Sequence, residues 1–289
     1  RHLIPWFDLL AGASYRTYRI NSEGTVFFDT PGNPIAMDQY GIFTQLSKAL
    51  FQDKLKITLS ARYDKNQNFK GRVTPRFSVV YSVDPQEKHN IRASAQTAYR
   101  FPSIPDQYTD LDVGAFRVIG GLPEIQNKYG FSTNAPYPLT GPNPITDEPD
   151  TSYGTFRFPE FKPERVTAFE LGYKGLLLNK MLYLDAYGFI NRYNGFLATQ
   201  VLVQNPYTSD ELRFQTTVST DDPIISFGWA IGIDILLPNR FFVKANVAYN
   251  ALESLGNRPP GFQSRFNTPK YRSNFSLGNN KVYKNFGFG

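Results

Sequence analysis

Residues 55–64 read LKITLSARYD. Leu55, Ile57, Leu59, Ala61 and Tyr63 take one set of alternate positions, and Lys56, Thr58, Ser60, Arg62 and Asp64 take the other. Successive side chains of an extended chain point to opposite faces, so this decapeptide is a strand with one apolar and one charged face.

The pattern recurs along the chain. Val73, Pro75, Phe77, Val79 and Tyr81 oppose Thr74, Arg76, Ser78 and Ser82. Ile91, Ala93, Ala95, Thr97 and Tyr99 oppose Arg92, Ser94, Gln96 and Arg100. Ile225, Phe227, Trp229, Ile231, Ile233 and Ile235 oppose Ser226, Gly228, Ala230, Gly232 and Asp234. Phe241, Val243, Ala245, Val247 and Tyr249 oppose Lys244, Asn246 and Asn250. Weaker versions occupy 8–20, 39–51, 165–177, 181–193 and 271–279, and a last one starts at Asn285. This makes about eleven strands by their period of two. Pro75 has no N–H to give to a ladder, so it marks a bulge or a locally broken pair.

Connections alternate in length. Short turns fall near 52–53, 84–88, 178–180, 238–239 and 280–284, and longer links at 21–36, 65–71, 102–164, 204–223 and 253–270. In an up-and-down meander all short turns then lie at one end and all long loops at the other, as in outer-membrane barrels.

Composition narrows the alternatives. The 289 residues are 41% hydrophobic and 16% aromatic, with mean hydropathy −0.38, too apolar and too patterned for disorder. Cysteine is absent, which excludes a disulfide scaffold, a thiolate zinc site and a cysteine nucleophile. A net charge of +6 is spread along the chain with no dense basic run, which argues against nucleic acid as a partner. No secretory signal opens the sequence. No run reaches the ~18 apolar residues of a membrane helix, whereas tilted barrel strands need only ~9–11 alternating residues. The most apolar run, 224–237, contains Asp234.

Charge on a lipid-facing wall costs ~2–4 kcal/mol at the midplane for Arg or Lys. The apolar faces therefore point to lipid, and Arg16, Arg62, Asp64, Arg76, Arg92, Glu170, Asp185 and Asp234 point to the lumen. Tyr63, Tyr81, Tyr99, Tyr173 and Tyr249 fall at strand ends, where interfacial aromatic girdles form. The fold class expected is all-β, an antiparallel up-and-down transmembrane β-barrel segment. An odd number of strands does not suggest a complete barrel, so residues 1–289 are read as part of a larger barrel domain.

Four stretches resemble TonB-dependent outer-membrane receptors, in the style of those from Bacteroidota. They are FKPERVTAFELGYKG at 161–175, AYRFPSIPDQY at 98–108, LDAYGFINRYNGFL at 184–197 and TPKYRSNFSL at 268–277. The resemblance covers most of the chain. It implies a barrel of about 22 strands with an N-terminal plug domain, of which about half the strands are here. It implies a cell outer-membrane location and import of a scarce nutrient driven by the TonB–ExbB–ExbD complex through the plug. No plug segment, TonB box or C-terminal aromatic strand is read here. Siderophore, cobalamin, oligosaccharide and peptide all stay open as ligands, as does a surface lipoprotein as partner. In this family the lumen wall binds the plug, which would pair its carboxylates with the lumen arginines.

The long extracellular loop at 102–164 is the expected ligand contact, since loops beyond ~15 residues usually have a role. Its candidates are Tyr108, Phe116, Arg117, Tyr129, Tyr137, Tyr153 and Arg157, with Arg100 at the strand end below. Aromatic and guanidinium groups supply contact area and charge-assisted bonds. Loop closure on binding is expected with them. The acidic groups Asp106, Asp110, Asp112 and Asp147, Glu148, Asp150 lack EF-hand spacing and read as solvated loop, so no metal or cofactor is expected. Gly120–Gly121 reads as a turn. His2 and His89 both lie far from the long loops, and neither GxxxxGK[ST] nor HExxH occurs, so no enzyme is expected. A passive porin and a scaffolding barrel in a cell-envelope complex are the alternatives.

Overall fold

The computed structural model describes residues 7–84, 86, 88–253, 258–266, 268–283 and 286–289. Seventeen strands are defined among them. They are β1 (Asp8–Ile20), β2 (Ile35–Leu50), β3 (Leu55–Asn66), β4 (Phe69–Ser82), β5 (His89–Arg100), β6 (Asp110–Asp112), β7 (Arg117–Ile119), β8 (Tyr137–Pro138), β9 (Glu164–Leu177), β10 (Leu182–Asn194), β11 (Leu197–Gln204), β12 (Leu212–Ser219), β13 (Ile224–Leu236), β14 (Phe241–Leu252), β15 (Phe262–Ser264), β16 (Tyr271–Tyr283) and β17 (Phe286–Phe288). Two short helices, α1 (Ile104–Tyr108) and α2 (Pro123–Lys128), lie between β5 and β9. The Asn285 start of the last strand falls outside the described residues, within which β17 begins at Phe286.

Eleven strands form one antiparallel sheet in the order β1-β2-β3-β4-β5-β9-β10-β13-β14-β16-β17. Each strand pairs with the next sheet strand along the chain, so the meander holds across the long connections. The register keeps like faces together: Leu46, Leu59, Phe77 and Ala95 sit side by side across β2–β5, and Ser94, Glu170 and Phe189 do so on the other face. Leu59, Phe77, Leu171, Ile190 and Ile231 are exposed on the apolar face. That is costly in water and favourable in hydrocarbon, where every backbone N–H and C=O must instead be held by the ladder.

Short turns gather at one end, at 51–54, 178–181 and 237–240 among others. Asn179 and Asn239 take left-handed backbone there, with φ of 54° and 58°, a conformation Asn tolerates better than most residues. At the opposite end one expectation fails. The link expected at 65–71 is a two-residue hairpin, because β3 runs to Asn66 and β4 starts at Phe69. The Asn66 side chain closes it by accepting from Asn68 N at 2.9 Å, the local bond that makes Asn a turn former.

Pro75 acts as expected. The β4–β5 ladder runs from Ser82–Asn90 up to Arg76–Gln96 and stops, while β3–β4 continues past it. The Pro75 carbonyl faces β5, where the Thr97 hydroxyl reaches it at 3.5 Å. In an antiparallel strand a residue's N–H points the same way as its C=O, so the missing donor is the one β5 would have used.

Substituting Lys for Leu171 on the apolar face should destabilise the native protein in lipid by ~2–4 kcal/mol, and Lys for Ser78 on the polar face by under ~1 kcal/mol. Equilibrium unfolding from vesicles checks this, and equal costs would overturn the assignment of faces.

Candidate functional site

The loops are not irregular. β15, β11, β12, β7 and β6 pair in that order, with β8 next to β15 along the same edge of β11, forming a second sheet that includes one parallel pair, β12–β7. This cap draws on the connections at 101–163, 195–223 and 253–270. The β1–β2 link joins it through Phe28 N to Tyr108 O at 2.8 Å and Asp110 N to Val26 O at 2.9 Å. The β3–β4 hairpin joins through Asn68 Nδ2, which reaches Gln107 Oε1 at 2.7 Å and Tyr108 Oη at 2.6 Å.

The cap obeys water's rules, with apolar groups inside. Its core holds Phe69, Ile119, Ile125, Phe131, Phe156, Leu202 and Phe214, all buried. Phe214 meets Phe131 and Tyr129 edge-on at 5.1 and 5.0 Å, and Phe131 stacks on Phe158 at 5.2 Å. Such edge and offset contacts each add ~0.5–1.5 kcal/mol beyond area burial. β11 is buried along its whole length, as a central strand covered on both faces is.

Two ion-pair networks organise it. In the first, Ser103 caps α1 and Asp106 returns the bond in a capping box. Arg265, from the β14–β16 link, donates to Asp106 Oδ1, to Thr199 Oγ1 at 3.0 Å and to Thr217 Oγ1 at 2.7 Å. One guanidinium thus ties three connections. Burial pushes the Asp106 carboxyl up, but hydrogen bonds from Ser103 and Arg265 outweigh it and hold the group below its usual range. In the second, buried Asp110 accepts from Lys128 and from Tyr129 Oη at 2.5 Å. Arg117 reaches Tyr129 Oη at 3.3 Å and Asp112 at 2.6 Å. Burial, then the neighbouring Asp110, pushes the Tyr129 phenol up to about 12.

The expected contacts therefore divide. Arg117 and Tyr129 hold the cap together, Tyr108 flanks its core, and Tyr137 packs on Leu139, Val201 and Val203. Phe116 is half-buried beside β7, while Tyr153 and Arg157 are exposed. Asp106 and Asp110 correct the reading of a solvated acidic loop, because each has a cationic partner and neither side chain is more than 14% exposed. Among the described residues no group of acidic or histidine side chains could hold a metal. The expected loop 102–164 overlaps β9, which begins at Glu164. Arg265, Gln107 and Glu164 carry no motif and were missed, since their partners are distant in sequence.

On the polar wall, Arg62 pairs with Asp64 at 2.7 Å. Arg92 pairs with Glu170 at 3.3 Å and Asp185 at 3.1 Å, and Asp185 also meets Lys174 at 3.6 Å. Gly172 stands opposite Arg92, where a Cβ would sit 2.7 Å from its Nε. Asp234 and Lys244 are 3.9 Å apart. Arg16 and Arg76 have no ion pair among the described residues. Arg100 stands at the top of this wall, where it pairs with Glu164 at 2.5 Å, and Glu164 also accepts from Leu197 N at 2.8 Å. Arg100 lines two recesses under the cap, one with Arg62 and Asp64, the other with Tyr193 and Arg265. The cap thus roofs the polar face.

Gly120–Gly121 is a close approach of main chains rather than a turn. A Cβ on Gly120 would lie 2.2 Å from the Gln107 carbonyl oxygen, and backbone cannot swing aside. Gly120→Ala should cost ~1–3 kcal/mol by overpacking, seen as faster protease cleavage within 101–163 with the membrane strands intact. The Asp106 network should stabilise the cap fully above the usual carboxylate pKa of about 4 and lose that contribution as pH falls through the lowered folded value. Near-ultraviolet circular dichroism should show this acid transition, with less of it in Asp106→Asn.

No curated protein matches the chain in sequence. Among solved structures it is similar to the siderophore receptor PirA from Pseudomonas aeruginosa, with a TM-score of 0.62 at 12% identity, covering 97% of this chain and 44% of that one. It is similar to the ferric enterobactin receptor PfeA from Pseudomonas aeruginosa (TM-score 0.61, 13% identity, 96% and 37% covered). It is also similar to the FrpB iron transporter from Neisseria meningitidis (0.57, 13%, 99% and 39%). These likenesses establish the barrel fold, and the chain spans less than half the length of each neighbour. The family model described as TonB dependent receptor-like, beta-barrel matches residues 4–289. The chain therefore belongs to the TonB-dependent receptor β-barrel family of the bacterial outer membrane.

Proposed function

We infer that the complete protein imports a scarce nutrient across the outer membrane. The observation that carries this is the cap: five connections fold into one packed body above a polar wall. A passive pore has little use for so dense a roof, whereas a receptor needs a preformed surface that selects before anything enters. The solved neighbours are named as receptors and transporters, which supports transport over catalysis.

In this reading the exposed cap residues Tyr153 and Arg157 meet the ligand first. Phe116 and Tyr137 shape the surface around them, and Arg117 and Tyr129 keep it in shape. Arg100 stands where a captured ligand would pass from cap to lumen. Arg16 and Arg76, which have no ion pair among the described residues, offer their charge to the carboxylates of a plug domain, whose withdrawal by TonB–ExbB–ExbD opens the path. The prior packing of the cap favours capture with little rearrangement over wholesale loop closure.

The test is uptake by cells expressing the complete receptor, with and without TonB, on a panel of iron chelates, cobalamin, oligosaccharides and peptides. At least one solute should enter only when both receptor and TonB are present. Uptake independent of TonB would sink energised import in favour of a passive channel.

A further inference from the structure

A recess of about 690 Å³ opens where the β1–β2 link, the β3–β4 hairpin, α1, α2 and the 158–161 segment meet. Its volume lies within the range of small-molecule sites, ~300–1,000 Å³. It shares no residue with the two recesses that Arg100 lines.

Its wall is aromatic. The cap core reaches it through buried Phe69 and Leu122, and Phe28, Tyr108, Phe158 and Phe161 stand around them half-buried. A half-buried ring keeps part of its surface open to a ligand. The face of an aromatic ring is negative, so a group of such rings attracts a cation as well as an apolar body.

The charge of the lining has the same sign. Glu124 and Glu160 line the recess, both are exposed, and neither has an ion pair among the described residues. No lysine, arginine or histidine lines it. Two cations come close, and each has a partner of its own: Lys65 donates to Phe69 O at 2.6 Å, and Lys128, over the Phe28 ring at 5.6 Å, is held by Asp110. A cleft with apolar walls and charge of one sign focuses its field on the opposite sign.

The remaining polar groups agree. Asn68 Nδ2 donates to Gln107 Oε1 at 2.7 Å and Tyr108 Oη at 2.6 Å, and Gln126 Nε2 donates to Gly121 O at 3.1 Å. The two amide oxygens are left as acceptors, and an ammonium only donates. Among the described residues no three acidic side chains converge as a metal ion requires, and a bare ion would leave the rings without a role.

We propose that this recess binds an organic cation, an ammonium carried on an apolar body, as in an arylalkylamine. The ammonium lies toward Glu124 and Glu160, and the body lies among the rings. The site stands on its geometry; that the bound amine is cargo rests on the import reading.

The test is titration of the complete detergent-solubilised receptor with 2-phenylethylammonium chloride, read by saturation-transfer NMR. The controls are 2-phenylethanol and sodium phenylacetate, which keep the ring with no charge or a negative one, and calcium chloride, which has charge without a body. The amine should bind about tenfold more tightly than the alcohol, and phenylacetate more weakly than either. Glu124→Gln combined with Glu160→Gln, isosteric changes at exposed positions, should bring the amine to the level of the alcohol. Glu148→Gln, at an exposed position outside the recess, should change nothing. Phe28→Leu should weaken amine and alcohol together. Equal binding of amine and alcohol, indifference to the paired glutamine variant, or displacement of the amine by equimolar calcium would overturn the proposal. TonB-dependent uptake of some other solute with no amine binding overturns the recess and leaves import standing. Amine binding without TonB-dependent uptake of any solute leaves the recess and removes import.

Discussion

Backbone amides in hydrocarbon have no water to bond, and most of this molecule follows from that constraint. It makes the strands long and the eleven-strand ladder nearly continuous. It also exposes large apolar residues such as Ile42, Leu171 and Phe275 on one face, where a soluble protein would bury them. With that face given to lipid, the price of a charge in the bilayer sends Arg92, Glu170 and Asp185 to the other side, where they neutralise one another across three neighbouring strands.

Where the ladder leaves the membrane the rule reverses. Hydrogen bonds no longer need a sheet partner, and apolar groups must be hidden. Pro75 marks the change on one side: above it β4 and β5 part, and Phe69 and Phe101 at their upper ends stack together and pack with the cap core. The buried core of the protein thus lies almost wholly outside the membrane sheet. The cap and the wall are two solutions to two solvents, joined through Arg100, Glu164 and the hairpin at Asn68.

The cap also has a defined order of parts. Its aromatic core is buried, and two carboxylates fix its parts: Asp106 is tied by Arg265 to groups from other connections, while Asp110 fastens Lys128 and Tyr129 within its own. Arg117 and Tyr129 belong to that framework, whereas Tyr153 and Arg157 are held outward and exposed, and in the proposed import function these would meet the ligand. An interior built this way presents a set surface rather than a loose group of loops, which reduces the entropy lost when a ligand settles.

The sequence by itself determined the membrane sheet. Alternation in residues such as 55–64 is a local signal with a fixed period, and it names the strand, its two faces and the solvent of each. Pro75 was legible for the same reason, since a missing N–H is a property of one residue. The cap was not legible. β11, β12 and β15 are short, and β11 is buried on both faces, so it shows no alternation. The partners of Asp106, Asp110 and Gln200 lie up to 159 residues away in sequence, as Arg265 does from Asp106. An acidic residue in a loop reads as solvated until the fold brings a cation to it. A glycine pair reads as a turn until another main chain is packed against it. Only tertiary structure decided these, because burial and pairing in the cap come from how the connections fold on themselves and on one another, which no local pattern records.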